Sequence, residues 1–243
     1  MTNNKLLIIA KKDIGEAFRS RSTYFVIIIM IVLTATYIAG YVDTVKGYDK
    51  QQAITYSHIF LDSLAYVMPM MFSIFVCSVF ANYSVIVDKA KRNIESLMAT
   101  PVSIKQIWLG KSLAVTLPSL LVGITIAILS YCVMDFWFVM PKTGIFIIPN
   151  IWAIVSAVLL VPALLFAIVS IVTYIQLVVT NPRIGNFVFS GIFFLLLIGV
   201  NTLSGVGLSF ALIYLGVIIV CTVISYFLSF SLTKEKVLLS SKI

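Results

Sequence analysis

The tripeptide Gly110-Lys111-Ser112 has the residue types that end a phosphate-binding loop. Such a loop follows the pattern G-x-x-x-x-G-K-[ST] between a strand and a helix, and its backbone N–H groups surround phosphate oxygens. The first glycine of the pattern would fall on Lys105, and an apolar run of membrane length follows Ser112. A nucleotide-binding domain does not fit around these residues, so we expect this chain itself to bind neither ATP nor magnesium.

Other residues with chemical potential are few and scattered along the chain. His58 is the only histidine and precedes Asp62 by four residues. The two side chains could face each other on a helix as a pH-sensitive pair, but a structural histidine is the favoured interpretation. Cys77, Cys132 and Cys221 lie in apolar runs without CxxC spacing, which favours buried thiols over disulfides or metal ligands. We therefore expect a protein without catalytic residues.

The elements that must position these residues are membrane helices. Hydrophobic residues make up 61% of the chain and charged residues 11%, compared with about 25% charged residues in a globular protein. Backbone polar groups in lipid must be satisfied within the segment, so long apolar runs predict helices. The sequence predicts an all-α integral membrane protein, a single transmembrane domain over 1–243. Its six predicted spans are approximately 24–41, 59–87, 112–134, 151–179, 186–203 and 208–230.

Basic residues indicate the orientation of these spans. All but three of the 17 lysines and arginines fall on one side, and only Lys46, Lys50 and Lys142 fall on the other. The positive-inside rule then predicts that both termini are cytoplasmic. The net charge of +8 is interpreted as this topology signal rather than as a nucleic-acid surface. A cleaved signal peptide is the alternative for the first span, but Asp13 and Glu16 precede it and its apolar run is long.

Residues 5–20 have the pattern of an amphipathic helix. Leu7, Ala10 and Ile14 recur at helical spacing, while charged residues occupy other positions on the wheel. Such a helix lies in the headgroup layer of the membrane, and an ordinary basic flank of the first span is the alternative. The expected interface residues are Lys11, Lys12, Phe18, Arg19 and Arg21.

A short helix is predicted between the second and third spans, over residues 94–99. Asn93 is a suitable N-cap, and Glu95 lies in the first turn, where it faces the helix dipole. Ile94, Leu97 and Met98 share one face, and Pro101 ends the helix. A helix this short is marginal in water, so it must pack against its own bundle or a partner protein. A solvated basic loop that only enforces topology is the alternative.

The third span is predicted to start with its own capping signal. Ser103 with Gln106 forms a capping box, and Trp108 and Lys111 are expected at the membrane interface. Pro69, Pro118 and Pro162 lie inside the spans and are expected to kink them. A gating role for these kinks is the alternative to the ordinary occurrence of proline in spanning helices.

The segment 88–111, DKAKRNIESLMATPVSIKQIWLGK, resembles the first cytoplasmic loop of permease subunits of the type-two ABC exporters. The loop pattern of that family is an acid, a basic residue and G-T-x-E-x-L, followed by P-[VIL]-S and G-K. Arg92-Asn93 replaces the Gly-Thr pair of the family. Residues 10–25 are similar to its amphipathic elbow helix, and residues 231–239 resemble its basic C-terminal end. The matching loop residues are Glu95, Leu97, Pro101, Ser103, Gly110 and Lys111.

This resemblance implies a permease subunit in the cell membrane, most simply an exporter working by alternating access. The short helix would be a cytoplasmic coupling helix that inserts into a groove on a separate ABC ATPase subunit. Ile94, Leu97 and Met98 would provide the apolar contact. Two ATPase copies, which hold ATP and magnesium, would join this chain and a second permease copy or a paralogue in the lipid bilayer. The residues implied in coupling are Arg92, Asn93, Ile94, Glu95, Leu97, Met98, Pro101 and Ser103.

Three other functions remain as alternatives. A membrane anchor or assembly factor would dock an ATPase without transporting anything. An integral-membrane enzyme acting on lipid or prenyl substrates would need clustered acidic or histidine side chains, and the sequence has no such cluster. A carrier driven by protons or sodium usually has charged groups at membrane depth, and such groups are scarce here.

Overall fold

The computed structural model describes residues 15, 21–91, 93–99, 102–181, 184–185, 187–192, 194 and 207–241, which contain helices and no strand. Residues 184–185, 187–192 and 194 are helical. The other α-helices are α1 (Arg21–Val45), α2 (Lys50–Ala81), α3 (Asp88–Ala90), α4 (Asn93–Met98), α5 (Ile104–Met134), α6 (Met140–Thr143), α7 (Ile151–Val155), α8 (Val161–Val178), α9 (Gly207–Ser231) and α10 (Lys234–Ser241). Three π-helical segments join some of them: π1 (Asn82–Val87), π2 (Asp135–Val139) and π3 (Ser156–Leu160).

Five helices in the described part of the chain are long and apolar enough to cross a membrane, and they indicate a membrane protein. The fifth predicted span, 186–203, lies largely outside the described residues. The second and third of these spans are longer than the apolar runs within them, because helical turns with polar residues continue beyond the apolar part. The five spans are Thr23–Val45, Lys50–Val87, Ile104–Thr143, Ile151–Val178 and Ala211–Ser231.

The helix α2 lies at the centre of the bundle, and most of its middle section is buried. It crosses α5 closely at Gly123, where an added Cβ atom would lie 2.6 Å from the main-chain nitrogen of Ser73. Small residues at helix crossings allow this approach in membrane proteins. The helices α1 and α9 are peripheral and expose large apolar side chains such as Ile31 and Phe227, as expected for surfaces that face lipid.

The two ends of the bundle have separate apolar clusters. One cluster joins α4, α10 and the facing ends of α5 and α8, and includes Ile94, Ile107 and Val237. We call this the basic end, because exposed lysines surround it: Lys91, Lys105, Lys234 and Lys236. The other cluster includes Tyr41 and Met134 and joins the ends of α1, α2 and π2, which we call the opposite end.

Proline positions correlate with one of the π-helical segments. Pro69 and Pro118 lie inside α2 and α5, whereas Pro162 occupies the first turn of α8, directly after π3. A proline lacks an N–H group and its ring crowds the preceding turn. The turn that the Pro162 ring crowds belongs to π3, whose turns are wider than those of an α-helix. The chain therefore remains helical from α7 through π3 into α8.

Buried polar contacts hold the connection between π2 and α7 at the opposite end. Asp135 has no exposed surface, and one of its carboxylate oxygens accepts a hydrogen bond from the Ile147 N–H at 3.0 Å. The Tyr131 hydroxyl donates to the Ile147 carbonyl at 2.8 Å. Gly144 turns the chain with a φ of 80°, a left-handed conformation that favours glycine. These contacts fold residues 144–150 against the bundle.

Candidate functional site at the basic end

The capping box predicted at the start of α5 is confirmed. The Ser103 hydroxyl accepts a hydrogen bond from the Gln106 N–H at 3.2 Å, and the Gln106 side chain accepts one from the Ser103 N–H at 3.1 Å. These two bonds satisfy N–H groups that a helix start leaves free. The cap fixes the start of α5 at Ile104, only a few residues after the end of α4 at Met98. The short connection keeps α4 at the basic end, next to the start of α5.

The helix α4 is anchored to its own bundle through Ile94. This side chain has 0% exposure and packs in the same cluster as Val85, Ile107 and Val237. The family resemblance implies that Ile94 contacts a partner protein, whereas in the structure this side chain has no exposed surface for one. A helix this short is not stable alone in water, so its packing through Ile94 provides the stability that the isolated helix lacks. The exposed residues beside it are Lys91, Ser96 and Ala99.

A buried ion pair lies directly beneath α4. Lys111 Nζ is 2.6 Å from Asp88 Oδ2, and the exposures of the two side chains are 0% and 3%. Lys111 also donates to the Ser84 carbonyl, which belongs to π1. The second oxygen of Asp88 accepts a hydrogen bond from the Asn93 amide at 2.9 Å. One carboxylate, at the start of α3 and directly after π1, thus connects that segment with the start of α4 and the first third of α5.

The burial of this pair determines what it contributes. Removing two charges from water costs about as much as their attraction returns, so a buried pair is weak evidence for stability. Removing one partner is different, because it leaves the other charge buried and uncompensated. The pair therefore fixes the relative positions of the segments that contribute to it: Asp88 after π1, Asn93 on α4 and Lys111 on α5.

Lys89 closes the C-terminal end of α8. Its ammonium group donates to the carbonyls of Gln176, Leu177 and Val179, at 3.3, 3.2 and 2.7 Å. The last carbonyls of a helix lack partners within the helix and carry partial negative charge, so a lysine there is favourable. Burial nevertheless lowers the pKa of Lys89 from 10.5 to about 8. Ser240 of α10 donates to the same Leu177 carbonyl at 2.8 Å, so α10 is tied to this site.

The helices α5 and α8 are joined by two further polar contacts. The indole N–H of Trp108 donates to the Ser170 carbonyl at 2.8 Å. The hydroxyls of Ser112 and Thr173 are 2.7 Å apart. These positions correct the expectation that Trp108 and Lys111 mark a membrane interface, since both side chains are buried inside the bundle. They face protein because α8 and π1 cover this side of α5.

The residues Gly110, Lys111 and Ser112 lie inside the continuous helix α5. The Ser112 hydroxyl donates to the Trp108 carbonyl one turn earlier, at 2.9 Å. In a phosphate-binding loop the backbone N–H groups point to the ligand, whereas in a helix interior they bond to carbonyls of the same helix. The short sequence match therefore has a structural use here, with Lys111 as the cation of the buried pair.

Several residues of the predicted site lie outside the described residues. They are Arg92 and Pro101 in the loop and Lys11, Lys12, Phe18 and Arg19 in the N-terminal segment. Leu97 and Met98 belong to α4, but their side chains also lie outside the described part. Glu95 is half-buried in the first turn of α4, and Arg21 is exposed as the first residue of α1.

The Asp88–Lys111 pair is the feature that sequence reasoning missed. The two residues are 23 positions apart, and the sequence pattern places Lys111 at the membrane interface, without a partner. A signal was present in α5, where Ile104, Ile107, Trp108 and Lys111 follow helical spacing on a single face. Since the first three are apolar, the same pattern predicts burial of Lys111. The identity of its partner depends on how α2 and α5 cross.

The opposite end contains the acidic residues nearest the membrane interior. Asp62 accepts a hydrogen bond from the Asn150 N–H at 2.8 Å, so this carboxylate contributes to the connection before α7. His58 is exposed one turn earlier. The three cysteines are free thiols, with Cys77 buried. Among the residues that the structure describes, no group of three or more histidine, cysteine or acidic side chains is arranged to hold a metal ion.

No protein-family model, curated protein or solved structure matches this chain. The functional conclusion therefore depends on the sequence pattern of residues 88–111 and on the geometry of the basic end.

Proposed function

We propose that this protein is the membrane subunit of an ATP-driven transporter of the ABC type, most simply an exporter, and that α4 is its contact with a separate ATPase subunit. The observation that carries the proposal is the connection of α4 to two spans through Asp88. Asn93 on α4 and Lys111 on α5 bind the same carboxylate, which follows the second span directly. A displacement of α4 by a partner would therefore move both spans.

The surface around α4 also supports a protein partner. Lys91, Lys105 and Lys236 are exposed at the basic end, and the negative charges there are few. A complementary partner surface would carry acidic groups opposite these lysines and a basic group opposite Glu95, which would promote association and orient the two proteins. In this proposal Ile94 anchors α4 to its own bundle, and the outward part of α4 contacts the ATPase. Two permease chains and two ATPase chains would make the working unit, with ATP and magnesium held by the ATPases.

Affinity purification tests the first step of this proposal. The tagged full-length chain is extracted gently from its native membrane, and the proteins that remain bound are identified and assayed for ATP hydrolysis. The proposal predicts a soluble ATPase with Walker motifs in the purified complex. A chain that purifies without any ATPase contradicts the proposal. An ATPase that binds, together with a reconstituted complex that moves no cargo, would favour the membrane-anchor alternative.

Two substitutions on α4 test the contact itself. Glu95→Arg reverses a charge in the first turn, and Leu97→Asp places a charge on the helix. Each is expected to lower the amount of ATPase retained by the tagged chain about tenfold, equivalent to about 1.4 kcal/mol of binding free energy. Membrane insertion should be unchanged.

The matched control is Asp43→Arg at the opposite end, which reverses an exposed acid in the last turn of α1. It should retain the ATPase fully. If Glu95→Arg and Leu97→Asp bind the ATPase and support transport as well as the control does, α4 is not the contact.

A further inference from the structure

A cavity of about 320 Å³ lies inside the half of the bundle nearer the opposite end. Its walls come from α1, α2, α5, the connection before α7, and the α7–π3 segment. Deep in the cavity the wall includes Met68 and Pro69 of α2 and Ile124 of α5. Ligand pockets in proteins have volumes of roughly 300–1,000 Å³, so this cavity has the size of a small binding site.

Four hydroxyl groups lie in the cavity wall; those of Thr34, Ser130 and Tyr131 are bonded within the protein, and that of Tyr37 forms no hydrogen bond to a residue that the structure describes. The Thr34 hydroxyl donates to the Met30 carbonyl at 2.9 Å and lies 3.1 Å from the Ser130 hydroxyl. The Tyr131 hydroxyl donates to the Ile147 carbonyl at 2.8 Å. The remaining lining is almost entirely aliphatic and aromatic carbon. A cavity of this kind stays free of water and favours an apolar ligand.

The cavity opens toward the outside of the bundle. Ile128 of α5 and Val158 of π3 line it, and their exposures are 57% and 61%. Thr34 lies near the middle of the first span, whereas Pro149 precedes the start of the fourth span, so the cavity runs from mid-membrane depth toward one surface. That depth is the hydrocarbon region of a single leaflet, about 15 Å thick as half of a bilayer core.

We propose that this cavity binds one hydrocarbon tail of a membrane lipid, which enters from the bilayer between α5 and π3. A helix from a second copy or from this chain, about 10–12 Å in diameter with its side chains, would need more volume than the 320 Å³ of this cavity. An extended peptide would bring a row of backbone N–H and C=O groups, and a wall in which Tyr37 has the one hydroxyl without a bond to a described residue could not satisfy them. A tail has neither problem, and it would restore the dispersion contacts that an empty cavity lacks. The site does not depend on the proposed transport function.

Photoactivatable phospholipids test this proposal in liposomes that contain the full-length chain. A diazirine at the end of an acyl tail reacts with whatever surrounds that tail, and the modified residues are identified by mass spectrometry. The expected result is labelling of residues 64–69 in α2, where Met68 lines the cavity and is only 4% exposed. A lipid with the diazirine in its headgroup should not label this segment.

Labelling should be similar for zwitterionic and anionic headgroups, because only the tail enters the cavity. Labels confined to exposed residues, for example on the outer faces of α5 and α9, would overturn the proposal. A headgroup-specific pattern would also overturn it, since the site would then recognise more than a tail. A photo-crosslinking amino acid placed at Met68 that joins this position to a second copy of the chain, and not to lipid, would show a protein occupant instead.

A filling substitution provides the matched variant. Ala157→Phe places a ring in the cavity from π3, and labelling of residues 64–69 should fall about tenfold. Ala163→Phe makes the same change at an exposed position of α8 that does not line the cavity, and labelling should be unchanged. Equal labelling in the two variants would overturn the proposal. The comparison of tail and headgroup probes uses the unaltered protein, so it is decisive even if Ala157→Phe does not fold.

Discussion

At the scale of single residues, Asp88 is where three segments of the chain meet. It binds Lys111 of α5 through one oxygen and Asn93 of α4 through the other. Neither charge of the pair is exposed enough to be compensated by water. The residue thus positions α4 on the bundle, whatever protein contacts that helix.

Asp88→Ala is expected to destabilise the protein by about 3–5 kcal/mol, because Lys111 would remain buried without its counter-charge. Thermal unfolding of the purified protein in detergent would measure this as a lower Tm. The control is Asp43→Ala, which breaks the exposed 2.6 Å pair with Lys46. That change should alter stability by at most about 1 kcal/mol.

The double variant Asp88→Leu with Lys111→Met separates charge from packing. Apolar replacement of a buried pair is often neutral, so the double variant should recover most of the lost stability. A double variant as unstable as Asp88→Ala would show that the unpaired charge is not the cause.

Lys89 predicts a pH dependence of stability in the alkaline range. Burial lowers its pKa from 10.5 to about 8 in the folded protein, so between these values the unfolded chain binds more protons than the folded one. The contribution of Lys89 to the free energy of unfolding should therefore increase as the pH rises from about 8 to about 10.5.

Unfolding of the unaltered protein and of Lys89→Met across this pH range measures the contribution. The rise should be smaller in Lys89→Met, whose side chain does not titrate. Identical slopes in the two proteins would contradict the assignment, because other titrating groups would then account for the whole dependence.

At the scale of elements, the crossing of α2 and α5 determines the geometry of the site. Lys111 lies on α5, and Asp88 follows α2 through π1; the two long helices approach each other closely at Gly123 and Ser73. A wider crossing would separate the pair and release α4 from its anchor. The capping box at Ser103 determines where α5 begins, and so it limits the length of the segment in which α4 can form.

Gly123→Ala should destabilise the protein by about 1–3 kcal/mol, since its Cβ atom would lie 2.6 Å from the Ser73 nitrogen and the helices would have to move apart. Gly40→Ala is the matched control in α1, where an added Cβ meets nothing within 4 Å. That change should be neutral or stabilise by about 0.5–1 kcal/mol. Thermal unfolding of both variants checks the prediction, and a loss of equal size in the two would contradict it.

At the scale of the whole molecule, the described helices pass alternately between the two ends. The end of α8 lies at the basic end, where Lys89 binds Val179, and α9 returns there, where Tyr174 donates to Ser231 at 3.2 Å. The start of α9 therefore lies toward the opposite end, as Tyr214 shows by donating to the Tyr66 carbonyl. The described end of α8 and the described start of α9 therefore lie toward different ends of the molecule. The fifth span remains a prediction.

The orientation of the molecule is tested by labelling single cysteines in a variant whose three native cysteines are replaced. The positive-inside rule predicts that the basic end is cytoplasmic. A membrane-impermeant maleimide added to intact cells should label Lys46→Cys at the opposite end and leave Glu235→Cys in α10 unlabelled. Both positions are exposed, so access to the reagent is the only difference expected. The reverse labelling pattern would place the basic end outside.

The sequence by itself determined the helical membrane architecture, the short helix after the second span and the capping box at Ser103. These features depend on local causes: apolar length in lipid, the proline after the helix, and hydrogen bonds between residues three positions apart. The fifth span, the elbow segment and the outward contacts of α4 were predicted as well, and they remain predictions.

Only the tertiary structure decided that Ile94 points into its own bundle and that Lys111 pairs with Asp88 instead of marking an interface. Both outcomes depend on which helices cover α5, and that depends on the close α2–α5 crossing at Gly123. The cavity has the same origin, because its walls come from four separate helices. Such contacts join residues far apart in the chain, and a local pattern contains no information about the distance between them.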